Sequence, residues 1–447
     1  MRILRLGRMT LLATLGISIL GAPGGIRTAG AAGDDLLQGA PQRIEEHRKS
    51  DATIVVVDAS GNPLSDVKVI VQQTRHSFLF GCNFFQFGRF RNPQDEDAYR
   101  NQYAELFNYA TLAFYWPSYE FQRGQPRHEY TEGVARWCRD HGITTKGHPL
   151  AWNYFEPRWL PDDLQEVRRL QMERITDCVT RFSGLVDIWD TVNEATHYER
   201  DQLKARAPKL TQLWTDVGRV PFVNECFRHA RAANEQATLL INDYRVDPAY
   251  AQLLTDMTEQ AGQRPYDVIG IQSHMHGEVW SNEKIWEACE RFAPFGVPLH
   301  FTELTVLSGA AGWELAKEGK QWPSTPEGEA QQAQDVARIY TMLFSHPAVA
   351  AITWWDFADR NAWQNAPAGL LGKDLKPKPA YTALQDLIKN QWWTRAELTT
   401  DAEGRAACRG FQGEYKVTIR LPAGAEFETA QTLKKGPGNV WQIKAGQ

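Results

Sequence analysis

Short apolar runs alternate with amphipathic stretches through the middle of the chain. The runs are "HSFLFGCNFF" (76–85), "YATLAFYW" (109–116), "GITTKGHPLAW" (142–152), "LVDIWDTVNE" (185–194), "ATLLINDY" (237–244), "DVIGIQSH" (267–274), "VPLHFTEL" (297–304) and "AVAAITWW" (348–355). Each has strand length, and helical segments separate most of them. In 163–182, Leu164, Val167, Leu170, Ile175, Cys178, Val179 and Phe182 recur at helical spacing. Eight such units in roughly 310 residues predict an α/β fold, a (β/α)8 TIM barrel. A doubly wound open sheet is the second choice.

The two ends follow another rule. "ATIVVVD" (52–58) and "DVKVIVQQT" (66–74) read as strands joined by the turn-forming "ASGNPLS". "GEYKVTIRL" (413–421) alternates in strand fashion, and "NVWQI" (439–443) is a further short strand. The expected organisation is a leader over 1–31, a loose polar linker over 32–50, accessory strands over 51–76, the barrel over 77–391, and strands over 392–447 that pack with 51–76.

Catalytic groups in such barrels sit at the C-terminal strand ends. The ends here carry His148 and Trp152, then Asn193 and Glu194, then Asn242 to Tyr244, then Gln272 and His274, then Glu303, then Trp355. Polar and aromatic side chains thus recur on six strands where the chain enters a cleft. Glu194 and Glu303 stand on the fourth and seventh strands. Cleavage of a glycosidic bond needs two flanking carboxyls. One protonates the leaving oxygen; the other attacks the anomeric carbon or activates water. A single Glu at a strand end is more often a structural ion-pair partner, but two at one barrel mouth among Trp, Asn and His point to chemistry.

"GHPLAW" (147–152), "WDTVNE" (189–194), "INDY" (241–244), "IGIQSH" (269–274), "TEL" (302–304), "ITWWDFAD" (352–359) and "KPKPAY" (376–381) occur in that order. Together they resemble glycoside hydrolase family 10, the family of retaining endo-β-1,4-xylanases, over about residues 77–391. The resemblance implies that Glu194 is the general acid/base and Glu303 the nucleophile. It implies that Asn193 holds the sugar's 2-hydroxyl and that His274, with Gln272 beside it, bonds the nucleophile. His148 and Trp152 match residues lining the sugar site before the cut, and Tyr244, Trp355 and Trp363 match aromatic positions of the cleft. The chain departs from the family after the second strand. "TLAFYWPSYEFQRG" (111–124) replaces a motif whose polar side chains grip the sugars on the non-reducing side. Asn153 stands where the family commonly has His, Pro149 where it has Thr, and Asp356 where it has Gly. The resemblance therefore implies reaction class more firmly than substrate. Xylan is the leading substrate, with another or decorated β-glycan as the alternative. A non-catalytic carbohydrate-binding protein is the competing class, and retention of both carboxylates counts against it.

Composition narrows the remaining choices. Arg2, Arg5 and Arg8 precede "MTLLATLGISIL" (9–20), an apolar run too short to span a bilayer, and "AGA" (29–31) offers small residues for cleavage. An exported protein, periplasmic or secreted, is expected. The formal net charge is −5, and loss of the leader with Arg27 and its three other arginines makes it −9. That balance disfavours nucleic acid and anionic membranes as partners. A polysaccharide or oligosaccharide is the expected partner and a monomer the expected state. The six cysteines are scattered without a CxxC, so neither metal nor other cofactor is expected, and any disulfide pairing stays open. His274 and His276 share a strand face, but no third ligand is evident. The 16 Trp suit either burial or stacking on sugar rings; Trp313 and Trp322, in a long loop over 308–329, could serve either purpose. The charge-rich "HYERDQLKARAPK" (197–209) reads as a solvated loop or a cleft wall.

Overall fold

The computed structural model describes residues 29–422 and 424–445. The expected leader lies outside them except for its last three residues, which begin helix α1 (Ala29–Gln38). Helix α2 (Ala40–Arg48) follows directly, so the expected loose linker over 32–50 is mostly helical. Its polarity is misleading because two of its charged side chains, Arg43 and Arg48, bind the barrel. Ile44 is buried, and Arg43 lies 4.6 Å over the Trp286 ring. The Arg48 guanidinium donates to the carbonyls of Phe344 (2.6 Å), His346 (2.5 Å) and Val349 (2.8 Å), meeting acceptors at a helix C-terminus.

Strands β1 (Lys49–Val57) and β2 (Lys68–His76) come next. The barrel strands are β3 (Leu79–Asn83), β4 (Tyr109–Ala113), β5 (Thr144–His148), β6 (Ile188–Asn193), β7 (Thr238–Asp243) and β8 (Val268–Ile271). The two-residue β9 (His274–Met275), β10 (Leu299–Val306) and β11 (Val349–Trp354) complete the set. All pairings are parallel, and β11 returns to β3, so eight strands close a barrel while β9 extends the end of β10. The terminal strands are β12 (Arg395–Thr399), β13 (Arg405–Phe411), β14 (Gly413–Arg420), β15 (Glu426–Leu433) and β16 (Asn439–Lys444). They join β1 and β2 in two sheets, β13-β1-β16 and β12-β2-β14-β15. Both chain ends therefore build one accessory unit, whose core includes Ile54, Val69, Val71, Val417, Ile419 and Trp441.

Two departures from regular pairing lie beside the key residues. The β6–β7 register slips between Asp190 and Val192, and the β10–β11 register slips between Phe301 and Leu304. Such irregularities re-aim side chains and cluster beside active sites. One slip precedes Asn193 and Glu194; the other brackets Glu303.

Candidate active site

Glu194 begins where β6 ends. Its φ of 57° puts a non-glycine residue in the left-handed region, and its N–H donates to Asn242 O at 2.9 Å. A bend of that kind costs ~1–3 kcal/mol and persists where the surroundings enforce it. The buried carboxylate receives Gln272 Nε2 at 3.1 Å on Oε1 and the Arg200 guanidinium on Oε2. Glu303, buried within β10, accepts from Asn242 Nδ2 at 2.8 Å and bonds His274 Nε2 at 3.0 Å. His274 Nδ1 is fixed in turn by Thr305 Oγ1 at 2.9 Å. Burial alone would push the Glu303 carboxyl up. The His274 bond, with the charges of His148, His274 and Lys146, outweighs it and holds the group below the usual range.

Three amides bridge the two carboxylates. Asn193 Oδ1 accepts from Gln272 Nε2 at 3.2 Å and from Asn242 Nδ2 at 2.9 Å, and these same donors serve Glu194 and Glu303. Asn193 Nδ2 is buried with no partner among the described residues. A buried N–H left unmet is costly, so this donor suits a ligand acceptor. Gly270 makes the bridge possible, because a Cβ there would run into Asn242 Oδ1.

The remaining predicted residues surround this pair. His148 Nδ1 and Lys146 Nζ each sit 2.7 Å from Asp190 Oδ2, a buried ion pair that orients the imidazole. Trp355 is edge-on to both His148 (5.4 Å) and His274 (5.9 Å), and Trp363 packs 4.9 Å from His274. Trp152 stacks on Tyr154 at 4.5 Å. Tyr244 lies at the rim, bonded through its hydroxyl to His197 at 2.7 Å with Arg200 over its ring. All ten predicted site residues thus gather at one barrel mouth.

Beyond them opens a pocket of about 1020 Å³, walled by Tyr115, Trp152, Phe155, Trp159 and Trp363 among others. Of Ala113, Phe114 and Tyr115, in the stretch that departs from the family, only Tyr115 lines it. Phe114 is core, edge-on to Trp189 at 4.8 Å, because strand alternation turns it away. Trp322 is buried and Trp313 is 47% exposed, so the long loop supplies one core residue and one surface ring. Asn153 ties down a loop by donating to Tyr198 O and Thr211 Oγ1. Sequence reasoning placed Asn242 at a strand end without a role and left Arg200 in a stretch read as a solvated loop or a cleft wall. For Arg200, the only signal was a cation six residues past the acid.

The glycosyl hydrolase family 10 model matches residues 78–387. The chain is 25% identical over 420 residues to anti-sigma-I factor RsgI6 of Acetivibrio thermocellus, covering 92% of this chain and 50% of that protein. It therefore spans about half the length of that relative. It is 24% identical over 332 residues to endo-1,4-beta-xylanase B of Thermotoga neapolitana, covering 70% and 88%. The fold matches xylanase 10B of Thermotoga petrophila RKU-1, solved with xylobiose, at a TM-score of 0.58 and 23% identity, over 70% of this chain and 95% of that one. Since the family match takes in the whole barrel, from before β3 to beyond β11, the chain belongs to glycosyl hydrolase family 10.

Proposed function

We propose that the protein is a retaining glycoside hydrolase of the endo-β-1,4-xylanase type. The observation that carries the reading is the pair of buried carboxylates joined by Gln272, Asn193 and Asn242 but held by different outer partners. Glu303, kept below the usual carboxyl range, is suited to attack the anomeric carbon as an anion. Glu194 protonates the leaving oxygen and then takes a proton from the water that releases the sugar. The free Asn193 Nδ2 grips the 2-hydroxyl, a bond that tightens in the transition state. His274 steers the nucleophile, Arg200 and Gln272 orient Glu194, and His148, Trp152, Tyr244, Trp355 and Trp363 line the sugar path.

A polymeric glycan fits an exported protein, and the basic start with its short apolar run supports export. Among the described residues no helix is long and apolar enough to cross a membrane. The deciding experiment follows product anomers by NMR during hydrolysis of xylo-oligosaccharides and aryl β-glycosides. Release of the β-anomer first is expected, because attack by Glu303 and then by water inverts the centre twice. Initial release of the α-anomer would remove Glu303 as nucleophile.

A further inference from the structure

Among the polar side chains lining the pocket beyond the carboxylates is Asp356, which the reaction described above does not use. Asp356 follows Trp355 and is 6% exposed. Its Oδ1 accepts the Trp363 N–H at 3.0 Å. Its Oδ2 is buried and has no partner among the described residues. A buried carboxylate oxygen without a donor is expensive, and native proteins seldom leave one unmet. Trp152 Nε1, on the wall of the same pocket, is a buried donor likewise without a partner. One acceptor and one donor are thus unmet among aromatic faces. Rings for stacking with a few convergent polar groups suit a sugar, whose faces are apolar and whose edge carries hydroxyls.

The location points to the ring next to the one being cut. Trp355 packs on His148 and on His274, which bonds Glu303, and Asp356 lies one residue further on. Trp363 joins the two places, since its N–H binds Asp356 and its ring packs on His274. Tyr115 lines the pocket and is edge-on to His148 at 5.4 Å, so it joins the residues around the carboxylates to the pocket. Burial also pushes the Asp356 carboxyl up to about 7; the Trp363 N–H opposes the rise and Asp359 adds to it. A hydroxyl donor from a ligand would relieve that cost.

We propose that Asp356 sets specificity on the non-reducing side by accepting a hydroxyl from the second pyranose, which lies in the pocket walled by Tyr115, Trp152 and Trp363. The proposal rests on the glycoside hydrolase reading and supplies the grip that the loop after β4 lacks. In its ionised form the carboxylate oxygen accepts but does not donate, so the hydroxyl facing it must be free, and a ring esterified or methylated there is rejected. The remaining pocket volume accommodates substituents elsewhere on the ring.

The test compares wild type, Asp356→Ala and Asp356→Asn on 4-nitrophenyl β-xyloside and β-xylobioside, with the β-glucoside and β-cellobioside beside them. Circular dichroism melts confirm folding. Asp356→Ala is expected to lose ~10–100-fold in kcat/KM on the two-sugar substrates, the range for a hydrogen bond to a charged group. One-sugar substrates should change less than about threefold. Asp356→Asn keeps the Trp363 bond and should fall between. Parallel losses on both lengths, or none on either, would overturn the proposal. If the wild type turns over no glycoside, the hydrolase reading fails separately. Calorimetric titration with xylobiose and cellobiose then decides the grip: weaker binding to Asp356→Ala supports it, and equal binding overturns it.

Discussion

At the scale of single residues, the two carboxylates should fail differently. Glu194→Ala removes the proton donor but leaves attack by Glu303 intact, so an aryl glycoside with a good leaving group should still form the glycosyl-enzyme. Azide should then restore turnover, because it attacks the intermediate without a general base. Glu303→Ala should lose turnover of every substrate, with no recovery of the normal β-product. Similar behaviour of the two variants in an azide titration would leave the roles unassigned. A second expectation concerns stability. Asp356 has a folded value of about 7 against an ordinary 3.8, so the folded state binds its proton more tightly than the unfolded chain does. The stability it contributes is fully present below about pH 4 and is lost as pH rises through about 7, with a ceiling of ~4 kcal/mol. Asp356→Asn should therefore melt several degrees above wild type at pH 8 and close to it at pH 4. An equal shift at both values would mean that packing, not charge, sets the difference. The placement of Glu194, Glu303 and Asn193 at the barrel mouth was readable in the sequence because they lie at the ends of apolar runs in a recognised order. Arg200 was not, since an arginine in "HYERDQLKARAPK" looks solvated until the loop folds back onto Glu194.

At the scale of elements, the apolar runs were enough to find all eight barrel strands, because parallel strands buried on both faces read as continuous hydrophobic segments. The same rule concealed α1 and α2, whose docking uses Arg43 and Arg48 as much as Leu and Ile side chains. Arginine stems pack on apolar surface while their heads bond carbonyls, and a hydrophobic pattern does not register that. The register slips in β6 and β10 were also hidden, as they depend on pairing between strands. A prediction tests how tightly the elements hold the site. In Gly270→Ala, the new Cβ of β8 meets Asn242 Oδ1, although the backbone itself tolerates alanine. Asn242 must shift, and its Nδ2 serves both Asn193 and Glu303. Misplacement of a catalytic group by ~1 Å costs on the order of 100-fold in rate. The variant should keep its circular dichroism spectrum and lose activity by about that factor, mainly in kcat. Full activity would show that the amide bridge repacks freely.

At the scale of the whole molecule, the barrel supplies the frame that holds the two carboxylates while the loops around its mouth set what enters. Where relatives are expected to present charged side chains after the second barrel strand, this chain presents Tyr115 with Phe114 turned into the core. The pocket beyond is wide, and its outer rim carries Phe121, 76% exposed, and Phe155, 50% exposed. Apolar surfaces discriminate weakly, by ~10–200-fold per methylene, whereas a site lined with hydrogen-bonding groups rejects mismatches strongly. A bare xylan chain offers this rim little that it can hold. A backbone bearing an apolar or aromatic substituent buries that group against the exposed rings, at ~25 cal/mol per Å² of apolar area removed from water. Decorated xylo-oligosaccharides should therefore exceed unbranched xylohexaose in kcat/KM, by ~10-fold if the substituent covers one ring. The advantage should reside in KM, because the rim is remote from the reacting bond and contributes equally to ground state and transition state. Phe121→Ala with Phe155→Ala should erase the preference while leaving the unbranched substrate unchanged. A clear preference of the wild type for unbranched xylohexaose would mean that the chain is gripped by other contacts, and that the aromatic rim belongs to the fold's surface rather than to its substrate.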